Sequence, residues 1–208
     1  MIIGLLFFSN STIAQTTTTK EAIAIGDSIL KSKIGDRLFQ YFSLSDGTYY
    51  TYDTKHQRQG TGKFLSKKKL PKSFATLNLL YHFNYPQIKG VKGGLWLILD
   101  KNLNPTDTLS FDFIPQFLID NISSQFISTG KALEIATQNF KQKGFEISTA
   151  DLSYDKKSKQ YTYTVTNKLT KVLNQAGKES GDMEIIEINA MTGKIERIDK
   201  GHYGLIIR

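Results

Sequence analysis

The segment Ile186 to Ile198 constrains this chain most, because a period of two on both sides of one tight corner leaves little choice but an antiparallel hairpin. Ile186, Ile188 and Ala190 alternate with Glu187 and Asn189, as in a strand with one buried face. Thr192-Gly193 then supplies a residue that tolerates positive φ, and Ile195 and Ile198 carry the return. The corner is structural and brings no catalytic chemistry.

The residues before it extend the pattern into a unit of helix followed by strands. Ala132, Ile135, Ala136 and Phe140 recur at helical spacing, with Lys131, Glu134, Gln138 and Lys141 on the other side. Thr129 is the expected N-cap and Gly144 the expected stop. Phe145 to Ser153 reads as a strand and Asp155 to Lys159 as a turn. Tyr161, Tyr163 and Val165 then alternate with threonines as a second strand, and a polar loop over 174–182 leads to the hairpin.

The same order occurs earlier in the chain. Thr18 and Glu21 have capping-box spacing, and Ala22, Ile25, Ile29 and Leu30 give a helix whose core face ends near Gly35. Phe39 to Ser45 and Tyr49 to Asp53 read as a hairpin about Asp46-Gly47. Leu95 to Asp100 and Thr106 to Phe113 read as a second hairpin about Asn102-Leu103-Asn104-Pro105. With the helices aligned, Ala22, Ile25 and Leu30 fall opposite Ala132, Ile135 and Phe140. Likewise Leu97, Leu99 and Asp100 fall opposite Ile186, Ile188 and Asn189, the mark of an internal duplication.

The Ala-rich helix, the Tyr-x-Tyr-x-Val strand and the Thr-Gly corner, in that order from Thr129 to Asp199, resemble a PepSY domain. That family is a small extracytoplasmic module whose closing hairpin is often written Val-Asp-Ala-x-Thr-Gly-x-Val. Asn189 stands where the family usually has an acidic residue, and the first unit lacks the Thr-Gly corner. The resemblance implies an α+β fold, one helix packed on a curved antiparallel sheet in a cystatin-like arrangement, and here duplicated. It also implies a link to inhibiting or chaperoning secreted proteases, and it transfers no catalytic or binding residues. The expected organisation is a signal peptide at 1–14, a linker at 15–19, a divergent helix-plus-meander unit at 20–120 and a PepSY-like unit at 128–208.

The N-terminus fits that address. Residues 1–8 are apolar apart from Gly4, a short polar stretch follows, and Ile13-Ala14-Gln15 offers a small residue at a cleavage position, although no Lys or Arg precedes the run. The mature protein is expected to be secreted or periplasmic, with no integral membrane span. There is no Cys, which removes disulfides, thiol nucleophiles and cysteine metal ligands. With 39% hydrophobic and 12% aromatic residues, the chain has ample material to bury a core without them.

Charge is the best surface clue. Between Asp53 and Asp100 there is no acidic residue, while Lys55, Arg58, Lys63, Lys67, Lys68, Lys69, Lys72, Lys89 and Lys92 are basic. These nine cations exceed the whole net charge of +8, so the rest of the chain is close to neutral. Lys63, Lys67, Lys68, Lys69 and Lys72, interleaved with Phe64, Leu65 and Leu70, are the candidate contacts to an anionic partner. Set against this, Leu79, Tyr81, Phe83 and Tyr85 alternate and belong on the buried face of one strand, leaving a solvated Lys loop.

Other chemistry finds no anchor. His56, His82 and His202 are scattered without metal-ligand spacing, and no nucleophile elbow, phosphate loop or dinucleotide glycine pattern occurs. Asp151 and Asp155 flank an expected turn, and Asn121-Ile122-Ser123 forms a glycosylation sequon. The sequence therefore points to a non-enzymatic module, without cofactor or metal, that binds an extracytoplasmic protein. A binder of anionic polymer at the cell envelope through 55–92 is the second reading, and a hydrolase assembled from scattered residues the third. Nucleic acid is not among the expected partners.

Overall fold

A computed structural model describes residues 17–53, 59–65, 68–71, 74–173 and 177–204. The expected signal peptide lies outside them, as do Lys55, His56, Arg58, Lys67 and Lys72. The chain divides into two compact units, Met1–Phe83 with Gly94–Phe111, and Asn84–Gly93 with Asp112–Arg208. The fold is α+β, with helix packed against a curled antiparallel sheet.

The first unit opens with α1 (Thr19–Phe39), which starts at the expected box: Thr18 caps the Glu21 amide at 3.2 Å and Glu21 returns to the Thr18 amide at 2.7 Å. Gly35 (φ 75°, ψ 160°) interrupts the helical path near the expected end, and the chain then resumes a last turn. The buried face is Ala22, Gly26 and Leu30, spaced by four, while Ile25 and Ile29 are half-buried beside it. Gly26 is small for a reason. A Cβ there would overlap the Leu79 side chain and stand 2.9 Å from the Tyr81 hydroxyl, so the helix lies directly on the sheet.

That sheet contains β1 (Phe42–Leu44), β2 (Tyr49–Asp53), β3 (Gln59–Lys63), β4 (Phe74–Asn84) and β5 (Lys92–Leu99). Asp46-Gly47 does not make a hairpin. β1 pairs Phe42 with Phe83 and Leu44 with Tyr81, and β2 continues along β4 in the same direction, Tyr49 with Asn78 and Tyr50 with Leu77. The two are one strand interrupted by a bulge at 45–48. The Ser45 amide donates to the Leu80 carbonyl, and the Leu80 amide, deprived of a backbone partner, donates to Thr48 Oγ1. Among the described residues β3 pairs with β2 alone, under two tyrosines: Tyr50 covers Gly62 and Tyr52 covers Gly60, where any Cβ would collide with the ring.

Two further expectations fail. Residues 106–113 form no strand; after the turn at Asp100 the chain makes a single bridge, Leu99 with Pro105, and leaves the sheet. The second hairpin instead joins β4 and β5, with Leu79, Tyr81 and Phe83 buried as their alternation predicts and Tyr85 half-buried at its end.

The second unit holds α2 (Gln116–Ile119), α3 (Thr129–Asn139), β6 (Glu146–Ile147), β7 (Asp151–Asp155), β8 (Gln160–Lys168), β9 (Val172–Leu173), β10 (Glu179–Asn189) and β11 (Ile195–Tyr203). The cap of α3 is Ser128, one residue before the expected Thr129, because the Ser128 hydroxyl accepts the Lys131 amide. The helix ends at Asn139 with Phe140 extended, well before Gly144. Gly144 serves the sheet instead: a Cβ would overlap Asn167 Oδ1 and the Lys168 carbonyl.

The expected strand 145–153 is also broken. Glu146 pairs with Lys168 and Asp151 with Thr164, so β6 and β7 follow one edge of β8 around an irregular step. The sheet then runs β6/β7, β8, β10, β11, with Ala132 and Ala136 of α3 buried over β8 and β10. Ile186, Ile188 and Ala190 are fully buried, and the corner closes as expected: Gly193 takes φ 73° and its amide returns to the Asn189 carbonyl. No helix among the described residues is long and apolar enough to cross a membrane.

Candidate functional site

The basic stretch is anchored by its apolar residues and solvated by its cations. Phe64 and Leu70 are buried, while Lys63, Lys68 and Lys69 are exposed. The backbone of 68–70 is held to the start of α1: the Thr19 amide donates to the Lys68 carbonyl, the Leu70 amide to the Thr17 carbonyl, and Thr18 bridges Lys69. Lys68 and Lys69 therefore stand beside the positive end of a helix dipole, with Glu21 as the local counter-charge. Hydrogen bonds from the Thr18 backbone and hydroxyl, with a contribution from Lys69, hold the Glu21 carboxyl below its ordinary range. Lys67 and Lys72 lie outside the described residues. Lys89 and Lys92 are exposed and belong to the second compact unit, so the linear stretch is not one patch of one unit.

One grouping escaped the sequence. Lys63 is directly opposite Tyr49 across β2 and β3, and the Tyr49 ring meets Trp96 edge to face at 5.5 Å. Trp96 is 43% exposed on β5. Two aromatic rings beside a cation form the kind of platform on which flat or anionic groups stack. Tyr49 lies outside the basic run, and only the strand pairing brings it there.

In the second unit, the sheet face turned away from α3 forms a polar hollow of about 540 Å³. Its lining includes Asp155, Lys157, Gln160, Thr162, Glu187 and Arg197. Most of these groups are committed to one another. Arg197 bonds Glu187 at 2.6 Å and Asp199 at 2.8 Å, and the Glu187 carboxylate holds its guanidinium above the ordinary pKa. Asp155 ties the turn after β7, accepting from the amides of Lys157 and Ser158 and from the Ser158 hydroxyl, which lowers its pKa. Asp151 begins the same strand, so the two carboxylates bracket β7 and do not flank a turn as expected. Gln160 Oε1 accepts from Asn189 at 2.8 Å, linking the hollow to the hairpin corner.

The histidines stay apart. His82 is exposed on β4, His202 bonds Asp182 at 3.1 Å on the other sheet, and no trio of His, Asp or Glu is poised for a metal among the described residues. Asn121 of the sequon is exposed in a left-handed turn, φ 58°.

Beneath α3 lies a polar pair that the sequence did not single out. Glu184 and Asn167 are cross-strand neighbours on β10 and β8, each only 1% exposed. The Gln142 amide donates to Glu184 Oε2 at 3.2 Å, and Asn167 Nδ2 donates to the Gln142 carbonyl at 2.9 Å. Asn167 Oδ1 has no hydrogen-bond donor and rests against Gly144. The pair clamps the loop after α3 to the sheet.

No protein-family model, no curated protein and no solved structure matches this chain. What the fold defines is therefore a class, α+β with antiparallel sheets, and the particular role is argued from the residues.

Proposed function

We propose that this chain is a secreted or periplasmic protein of two PepSY-like units that binds another extracytoplasmic protein, inhibiting or chaperoning it, and catalyses no reaction itself. The duplication is supported by a shared order. Each unit runs helix, interrupted strand, long strand, strand, with β3 inserted in the first and β9 inserted and β11 added in the second. The small residues Gly26 and Ala136 hold equivalent places when Ala22 is set against Ala132. The corners agree as well. Asp100 Oδ1 accepts the amides of Asn102 and Asn104, and Asn189 Oδ1 those of Met191 and Thr192. Each turn then passes through a left-handed residue, Leu103 at φ 63° and Gly193 at φ 73°. Asp100 supplies the acidic residue that the family pattern has and Asn189 lacks.

The observation that carries binding is the edge at β6, clear of β7, where Gly90 packs on the Leu152 backbone. It is short, unpaired on its outer side among the described residues, and bears Phe145 at 49% and Ile147 at 41% exposure. An edge with apolar side chains at alternate positions accepts an added strand, backbone groups giving affinity and side chains giving selectivity. Capture from the native extracytoplasmic fraction with the mature chain as bait tests this. A protein retained by the parent and lost with the pair Phe145→Asp and Ile147→Lys supports it; capture unaffected by that pair overturns the edge as the contact.

The Lys63, Tyr49 and Trp96 grouping favours a second reading, in which the first unit holds an anionic polymer of the envelope. Stacking on Tyr49 and Trp96 would supply contact, and the exposed lysines would supply charge.

A further inference from the structure

The outer edge of β11 carries a charge order that complements itself. β11 ends its sheet and pairs with β10 alone among the described residues, so its outer backbone groups are open to a further strand. Its centre reads Glu196-Arg197-Ile198-Asp199-Lys200. When two identical strands pair antiparallel about an axis normal to the sheet, each residue keeps its face and one residue meets itself. With Ile198 at that centre, Arg197 stands opposite Asp199 of the second copy, while Glu196, the extra residue of a bulge in β11, shares the face of Arg197 and stays outside the pairing. Each Arg197 then meets an anion. Centring on Glu196, Arg197, Asp199 or Lys200 instead sets a charge against its own kind, which is unfavourable for directly opposed residues.

Side-chain placement agrees with this register. Ile198 lies opposite the fully buried Ile186 yet is itself 38% exposed on the last strand of the sheet. On the other face Arg197 already sits 2.8 Å from Asp199 of its own strand. Pairing would join two such couples into a ring of alternating charge, each guanidinium flanked by two carboxylates. We propose that β11 is a homodimer edge, at which a second copy of this chain extends the sheet across a two-fold axis through Ile198. The proposal goes beyond the binding of another protein, which uses the opposite edge of the same sheet, so either can fail without the other.

Light scattering and sedimentation of the full chain over a concentration series test it, with a doubled mass at high concentration expected. Arg197→Asp should raise the dissociation constant by about tenfold or more, since it places carboxylates opposite one another at two symmetric points. The swap Arg197→Asp with Asp199→Arg, which re-forms the opposite-charge pair both within the strand and across the axis, should restore dimerisation, and the cross-link below reads the contact between copies alone. Independently, Ile198→Cys introduces the chain's sole thiol and should cross-link two copies under mild oxidation. A parent that stays monomeric at every concentration, a swap that fails to rescue, or an Ile198→Cys protein that does not cross-link overturns the proposal and leaves the edge charges as a guard against aggregation.

Discussion

At the scale of single residues, stability rests on a few positions where the backbone has no room. Gly144 is the sharpest. Asn167 Oδ1 and the Lys168 carbonyl occupy the space a side chain would take, and the carbonyl belongs to a strand that cannot yield. Gly144→Ala is expected to cost about 1–3 kcal/mol, at the upper end of overpacking, despite the lower chain entropy that Ala brings to the unfolded state. Thermal and urea melts measure it. Two tyrosines make a second prediction. Burial, together with the Asp27 carboxylate at 2.8 Å, pushes the Tyr81 hydroxyl well above its ordinary pKa, and burial does the same for Tyr161. Because the folded state holds these protons more tightly, their stabilisation is complete below about pH 10 and is lost progressively as pH rises past it. In an alkaline titration followed by ultraviolet absorbance, two of the ten tyrosines should ionise only as the fold collapses.

At the scale of elements, the bulge between β1 and β2 decides the topology of the first sheet. Thr48 is buried, and its hydroxyl accepts the Leu80 amide at 3.1 Å, the bond that the bulge withholds from the ladder. Thr48→Val keeps the shape and orphans that amide, so a loss of about 1–3 kcal/mol is expected, with faster hydrogen exchange at Leu80. The bulge also shows why part of the fold was hidden in the sequence. Asp46-Gly47 has the chemistry of a hairpin turn, and the same residues serve a bulge; which of the two forms depends on whether β4, some thirty residues later, claims both flanking segments. Thr106 to Phe113 alternated well enough for a strand, yet Phe113 and Ile114 are buried in the second unit's core. What was legible depended on near neighbours: the Thr18–Glu21 box, the buried alternation of Leu79, Tyr81 and Phe83, the Tyr161 and Tyr163 strand, and the Gly193 corner. The Tyr49, Trp96 and Lys63 grouping joins three strands and has no local signature.

At the scale of the molecule, the basic residues and the compact units each make a prediction. Lys68 and Lys69 are exposed, and solvated charges contribute little to folding. Replacing Lys67, Lys68 and Lys69 with Gln should leave the melting temperature nearly unchanged and reduce retention on heparin, most strongly at low salt where screening is least. Equal retention at every salt concentration would remove the polymer reading. For the second unit, Phe126 stacks between Phe117 and Tyr161, and Tyr161 donates its hydroxyl proton to the Phe113 carbonyl. A fragment starting at 128 lacks Phe113, Phe117 and Phe126. It should melt less cooperatively, and at lower temperature, than a fragment starting at 112, as followed by circular dichroism.

The second unit is built from two stretches, 84–93 and 112–208, and the first likewise from two, so the chain crosses between units three times. Gly90, at φ 98°, shows how firmly the shorter stretch belongs: its α-carbon packs against the Leu152 backbone with no room for a methyl group. No single break in the gene can therefore deliver one unit whole. Recombination at one point carries away β7 without the turn it packs on, or the turn without β7, so neither unit can be moved as a single continuous segment. An intact second unit needs both 84–93 and 112–208 in one chain.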